Sequence, residues 1–142
     1  MVERIDREGL MHLLEKTEDT TYVVNFWATW CSPCVEELPY FQELQNSFSD
    51  RKLQVVLVSL DFPNQLERRV TPFLETHGID LPVYLMTDMD YDSWISKVDP
   101  TWSGAIPATL FYNRSERAFF EKAFEKDALF RQTEQMLRKT KK

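Results

Sequence analysis

Cysteine, histidine and glycine are scarce in this chain: two, two and three among 142 residues. Two cysteines cannot build the multi-bridge framework of a small secreted scaffold, and 142 residues suffice to bury a core without one. A structural zinc site takes four ligands. Besides Cys31 and Cys34 only His12 and His77 remain, neither at ligand spacing, so no metal site is expected. Low-complexity tracts and internal repeats are missing. No apolar run approaches the ~18 residues of a membrane-spanning helix. The first twenty residues are charged and helix-like, so an export signal is expected to be absent from this sequence. Positive charge is also in deficit: 17 Lys and Arg face 23 Asp and Glu, a net charge of −6. A nucleic-acid surface would be basic instead. The one basic cluster, Arg138, Lys139, Lys141 and Lys142, reads as a solvated helix end, where cations suit the dipole.

What is present is globular: 43% hydrophobic and 13% aromatic residues. Residues 3–17 read as an amphipathic helix capped by Asp6. "TYVVNFWA" (21–28) and "LQVVLVSLD" (53–61) are near-continuous apolar runs expected as buried strands. Between them Val35, Leu38, Phe41, Leu44 and Phe48 recur at helical spacing, giving a helix over 32–48 that Pro39 should kink. Residues 64–77 read as a helix stopped by Gly78, 81–86 as a strand and 91–98 as a short helix. Residues 107–113 and 117–124 flank a polar turn as an antiparallel hairpin, and Asp127 is expected to cap the last helix. The order αβαβαβαββα predicts an α/β protein with a mainly parallel sheet covered on both faces. No linker divides it, so one domain over 1–142 is expected.

The two cysteines stand as C-x-x-C at the strand-to-helix junction, which reads as a redox motif. A helix start presents unpaired N–H groups and the positive dipole end, both of which stabilise a thiolate. Cys31 falls at that start and Cys34 one turn in, so Cys31 is expected to attack and Cys34 to close the ring. A purely structural disulfide over so short a loop would add little stability. Two inert buried thiols would not need this pairing at a helix start.

"VVNFWATWCSPC" resembles the active-site segment of the thioredoxin superfamily. "CSPCVEELP" is similar to the C-x-x-C-x-x-E-x-P pattern of its TlpA/ResA-like branch, extracytoplasmic thiol–disulfide oxidoreductases, and "GAIPATLFYN" resembles the cis-proline segment. The resemblance spans about residues 20–140. It implies a thioredoxin-like fold with a central mixed sheet, helices on both faces and an inserted helix–strand unit at about 64–86. It also implies that Pro107 is cis beside the disulfide, leaving the backbone of Ile106 free to pair with a substrate strand. Trp30 would be an exposed lid, Ser32 and Pro33 the variable pair between the cysteines, and Trp102 a candidate wall of the substrate groove, with loop packing as the alternative. Trp27 reads as core, and His77 as a structural residue at a helix end. Pro33 stiffens the first turn and limits the donors to the thiolate, favouring a reducing couple.

Many thioredoxins carry a buried Asp at the position of Asn25. Asn cannot titrate, so Glu37, on the helical face of Cys34, is the candidate proton acceptor; the alternative for Glu36 and Glu37 is a solvated helix face. The implied activity is reduction of extracytoplasmic protein disulfides through a Cys31 mixed disulfide resolved by Cys34. It needs no cofactor. The implied partners are a protein disulfide substrate and an upstream thiol electron donor, for a monomer acting in the periplasm or an equivalent compartment, with the cytoplasm as the other placement. Two other classes compete. A Cu(I) carrier could use Cys31 and Cys34, since soft thiolates suit Cu(I), but it would usually add a nearby His. A peroxidase of the peroxiredoxin class would want a lone peroxidatic cysteine.

Overall fold

A computed structural model describes residues 2–140, with side chains through Arg138; of the basic C-terminal cluster, Lys141, Lys142 and the Lys139 side chain lie outside the described residues. Six strands form one sheet in the order β1-β4-β3-β2-β5-β6. They are β1 (Val2–Ile5), β2 (Thr21–Trp27), β3 (Leu53–Ser59), β4 (Val83–Met86), β5 (Ala108–Tyr112) and β6 (Arg117–Phe120). The first four of that order run parallel, and β5 and β6 pair antiparallel. This is the mixed α/β sheet implied by the resemblance.

β2 lies inside the sheet, and all seven of its residues are buried. Its β-branched and aromatic side chains alternate between two cores, as strand geometry requires. Val23 and Trp27 pack with α2 (Ser32–Ser47), α3 (Thr71–Thr76) and α5 (Lys126–Thr140) through Leu38, Phe41, Leu74 and Met136. Tyr22, Val24 and Phe26 face α1 (Arg7–Leu13) and α4 (Ile95–Val98) through Leu10, Trp94 and Val98. Asn25 shares the parity of Val23 and Trp27, so this buried polar residue in the middle of the strand points toward α2. The register sets Asn25 opposite Leu57 on β3 and Thr109 on β5.

The structure corrects several expected elements. The helix expected over 3–17 begins as strand β1, paired with β4 from Val2↔Val83 to Ile5↔Met86. Only Ile5 of that edge strand is buried, so it carries almost no apolar alternation, and pairing overrides local pattern. Asp6 does cap the helix that follows, accepting from Gly9 N–H at 2.8 Å. The helix expected over 64–77 is three turns of different pitch: a 3₁₀ turn at Pro63–Gln65, a wide π-type turn at Leu66–Val70, then α3. Pro72 explains part of this, because its ring nitrogen cannot donate within a continuous α-helix; Thr71 N–H reaches back five residues to Leu66 O instead. Gly78 ends the segment at φ +64°.

The strand expected over 81–86 starts at Val83, and β3 stops at Ser59. Residues 91–98 divide into a 3₁₀ turn at Tyr91–Ser93 and α4, separated by buried Trp94. β6 ends at Phe120, four residues short of expectation, because Phe124 leaves the sheet to donate its N–H to Glu37. α5 begins at Lys126, so Asp127 lies in its first turn instead of capping it.

The Asp6 cap supplies a simple test of the fold's N-terminal end. Asp6→Ala should lower the midpoint of urea unfolding by an amount worth about 1 kcal/mol, with the denaturant slope unchanged. An unaltered midpoint would mean that the cap contributes nothing.

Candidate active site

Cys31 and Cys34 are joined as a disulfide, their Cα atoms 5.2 Å apart. Cys31 is the N-cap residue of α2, and its sulfur accepts the Cys34 N–H at 3.3 Å. The helix forms here because Pro33 occupies its first turn, where a missing N–H costs nothing, and because Leu38, Phe41 and Leu44 bury one face. The two sulfurs differ in access: Cys31 is 7% exposed and Cys34 fully buried. Ser32 and Pro33 are exposed on the first turn.

The Ile106–Pro107 peptide is cis, which turns the chain entering β5 so that Ile106 O lies 3.8 Å from Cys31 Sγ. Pro107 is buried and Ile106 partly so. Trp30, directly before Cys31, is 59% exposed. It lines a groove of about 430 Å³ with Leu60, Phe62, Tyr91, Ile95 and Ile106, and Asp92 sits on the same wall. Phe62 is likewise exposed. Trp102 does not line this groove. It is buried against Phe26, Trp94 and Phe119, and its indole N–H donates to Ala105 O at 2.8 Å. It therefore supports the 103–107 loop from beneath, the loop-packing alternative, and not the substrate wall. Trp27 is core, packed on Phe73. His77 stacks on Phe73 and its Nδ1 lies 2.9 Å from Phe73 O, a helix-end role.

On the other side of the disulfide, Glu37 is 1% exposed, which removes the solvated-face reading for it, while Glu36 is exposed. Asn25 Nδ2 donates to Glu37 Oε1 at 3.1 Å and to Thr109 Oγ1 at 3.1 Å. Phe124 N–H donates to Glu37 Oε2 at 2.7 Å. Burial lifts the Glu37 carboxyl from the usual 4.5 to about 7; the Phe124 and Asn25 hydrogen bonds favour its ionised form and hold the rise down. A cleft of about 560 Å³ between the start of α2 and residues 123–127 reaches Glu37, with Pro33, Tyr40 and Phe124 among its walls. Thr109 and the Phe124 amide were not singled out in the sequence. Thr109 could have been found from the strand register opposite Asn25, whereas a main-chain N–H after the end of a strand leaves no residue-type signal. Among the described residues, no group of three or more His, Cys, Asp or Glu side chains is placed to hold a metal ion.

The sequence pattern of the AhpC/TSA family matches residues 5–116, most of the chain. The chain belongs to the AhpC/TSA family. Within the thioredoxin superfamily it is similar to a thioredoxin-like protein, YneN, of Bacillus subtilis, with 35% identity over 72 residues, 51% of this chain and 42% of that one. It is also similar to the thiol–disulfide oxidoreductase ResA of Oceanobacillus iheyensis, 35% identical over 81 residues, 57% of this chain and 40% of that one. The chain thus spans about half the length of the curated relatives it matches. Among solved structures, a thiol:disulfide interchange protein of the thioredoxin family from Chlorobium tepidum superposes with a TM-score of 0.70 at 25% identity, covering 84% of this chain and 81% of that one. This AhpC/TSA member therefore has a thioredoxin-like fold.

The burial of Glu37 generates a pH prediction. A carboxyl whose folded pKa is raised favours the fold while protonated, so its contribution is complete below about pH 4.5 and is lost as pH rises through about 7. The full loss is on the order of 3 kcal/mol. Glu37→Gln keeps the shape and cannot ionise, although its NH2 group meets one of the two N–H donors that the carboxyl accepts, so the oxidised Glu37→Gln variant should show a flatter stability–pH curve than the parent. Urea unfolding from pH 4 to 8 (a range bracketing about 4.5 and 7) measures it. Identical curves would show that Glu37 does not titrate in that range.

Proposed function

We propose that this chain is a protein thiol–disulfide oxidoreductase in which Cys31 attacks and Cys34 resolves. The observation that carries the reading is the Cys31–Cys34 pair at the N-terminus of α2, with the outer sulfur 3.8 Å from Ile106 O beside cis-Pro107. The names of the relatives, thiol–disulfide oxidoreductases among them, support the same chemistry.

In the reduced protein the helix N-terminus and its free N–H groups favour the Cys31 thiolate. Cys31 Sγ attacks one sulfur of a substrate disulfide; a new S–S bond forms, the substrate bond breaks, and its second sulfur leaves as thiolate. Cys34 then loses its proton and attacks Cys31 Sγ. The Cys31–Cys34 bond forms, and the substrate departs with both sulfurs reduced. Glu37, one turn beyond Cys34 and raised to about 7, is the group we assign to receive that proton, with the cleft beside it as the route to solvent. A carboxyl that exchanges protons near neutral pH suits general acid–base work. A thiol donor returns two electrons to the disulfide and completes the cycle.

Trp30 and Ile106 are assigned to the substrate: the exposed indole covers an incoming strand and the Ile106 backbone pairs with it. Ser32 and Pro33 form the exposed rim that strand crosses. The apolar groove beside Trp30 fits a protein side chain next to the reacting cysteine. The resemblance to TlpA/ResA-like proteins supports action outside the cytoplasm.

The two thiols have unequal roles in this scheme. Cys34→Ser should accumulate mixed disulfides with disulfide-bearing substrate proteins, while Cys31→Ser should trap almost none, as read by non-reducing gels and mass spectrometry after incubation with insulin. Comparable trapping by both variants would overturn the assignment.

A further inference from the structure

One buried carboxylate takes no part in the chemistry above. Asp61 follows β3 and is 2% exposed, and no Lys, Arg or His lies within ion-pairing distance of it among the described residues. Burying a carboxylate is costly unless donors surround it. Three do. Thr29 N–H lies 3.2 Å from Oδ1 and 3.1 Å from Oδ2, the Thr29 hydroxyl donates to Oδ1 at 2.6 Å, and the Ser59 hydroxyl donates to Oδ2 at 2.6 Å. Ser59 Oγ in turn accepts the Asp61 N–H at 3.0 Å.

The placement of those donors shows what the carboxylate holds. Thr29 lies inside the turn that Cys31 N–H closes on Ala28 O at 3.2 Å. Trp30 and Cys31 follow it directly, so a displacement of Thr29 moves both the indole and the outer sulfur. On its own strand end Asp61 sits between Leu60 and Phe62, which line the groove beside Trp30. Leu60 N–H is fastened to Trp27 O at 2.7 Å. Arg69, on the π-type turn, donates from Nε to Thr29 Oγ1 at 3.2 Å, so that hydroxyl both gives and receives a bond. A wide turn in place of a regular helix is often a functional device; here it carries the residue that reaches Thr29.

We propose that Asp61 is a positioning residue for the reaction at Cys31, acting through Thr29 to hold the Ala28–Cys31 turn against the groove wall of Leu60 and Phe62. Arg69 closes the chain of bonds from the inserted segment. The carboxylate touches neither sulfur; it fixes where the attacking sulfur and the indole stand relative to a strand laid along Ile106. A misplacement on the order of 1 Å at an attacking group costs up to about a hundredfold in rate.

This role rests on Cys31 being the attacking thiol. The test measures kcat and KM for insulin reduction, with dithiothreitol as donor, in the parent, Asp61→Asn, Thr29→Val, Thr29→Ser and the Asp61→Asn/Thr29→Val double variant, with a thermal melt of each. Asp61→Asn and Thr29→Val should each lower kcat/KM roughly tenfold at a temperature where both remain folded. The double variant should lose no more than Asp61→Asn alone, because the two groups act through one contact. Thr29→Ser, which keeps the hydroxyl, should recover most of the rate. If Asp61→Asn and Thr29→Val lower only the melting temperature and keep the parent's kcat/KM, Asp61 merely supports the fold and the proposal fails. Additive losses in the double variant would also overturn it. A parent that does not reduce insulin would overturn the thiol-exchange reading itself, and this role with it.

Discussion

The hydrogen bond from Asn25 Nδ2 to Glu37 Oε1, 3.1 Å long and wholly buried, ties the innermost face of the sheet to the helix that starts with the cysteines. A carboxyl can stay in that position only because the amide of Asn25 and the N–H of Phe124 meet it from two sides. The arrangement constrains three elements at once. β2 must present Asn25 toward α2, β5 must set Thr109 opposite it, and the chain after β6 must leave the sheet to deliver Phe124. Replacing the carboxyl's partners with apolar groups would strand it; replacing the carboxyl with an apolar side chain would leave Asn25 only its bond to Thr109 and the Phe124 N–H without its acceptor. The scaffold beneath Cys31 and Cys34 is thus one polar cluster inside an apolar core.

A second carboxylate, Asp61, stands at the end of β3, the strand hydrogen-bonded beside β2. Its environment differs in kind. Glu37 meets two N–H donors and sits where a cleft reaches it, whereas Asp61 meets three donors from Thr29 and Ser59, two of them hydroxyls. Burial raises Glu37 toward neutrality, which suits a group that gives and takes a proton. Asp61 suits a fixed brace. The residues that meet substrate in the proposed scheme, Trp30 and Ile106, share the groove whose Leu60 and Phe62 wall flanks that brace.

Much of this was legible in the sequence, for identifiable reasons. The C-x-x-C at a strand–helix junction placed Cys31 at a helix start, and the apolar run "TYVVNFW" placed β2 inside the sheet. Resemblance marked Pro107 as cis, and the spacing of three between Cys34 and Glu37 put both on one face of α2. Other features could not be read locally. Val2–Ile5 pairs with a strand some eighty residues away, and no residue in it announces that partner. Trp102 stayed open between substrate groove and loop packing because its neighbours Phe26, Trp94 and Phe119 come from three other segments. Asp61 closed an apolar run and passed as the last residue of a strand; only the fold brings it to Thr29. The π-type turn was hidden by overall helical periodicity, although Pro72 carried a warning.

In the proposed cycle the Cys31–Cys34 bond exchanges electrons while the fold around it stays intact. The bond links residues only three apart in sequence, so it restrains the unfolded chain little, and the cores on both faces of the sheet are expected to hold after reduction. The most direct measurement equilibrates the protein in a series of dithiothreitol or glutathione redox buffers, reading the thiol state by alkylation and the backbone by far-ultraviolet circular dichroism in the same samples. One reversible two-electron transition is expected, the same from the oxidised and the reduced side, with an unchanged dichroism spectrum across it. Loss of the folded spectrum on reduction, or a bond that resists every buffer until the protein is denatured, would contradict it.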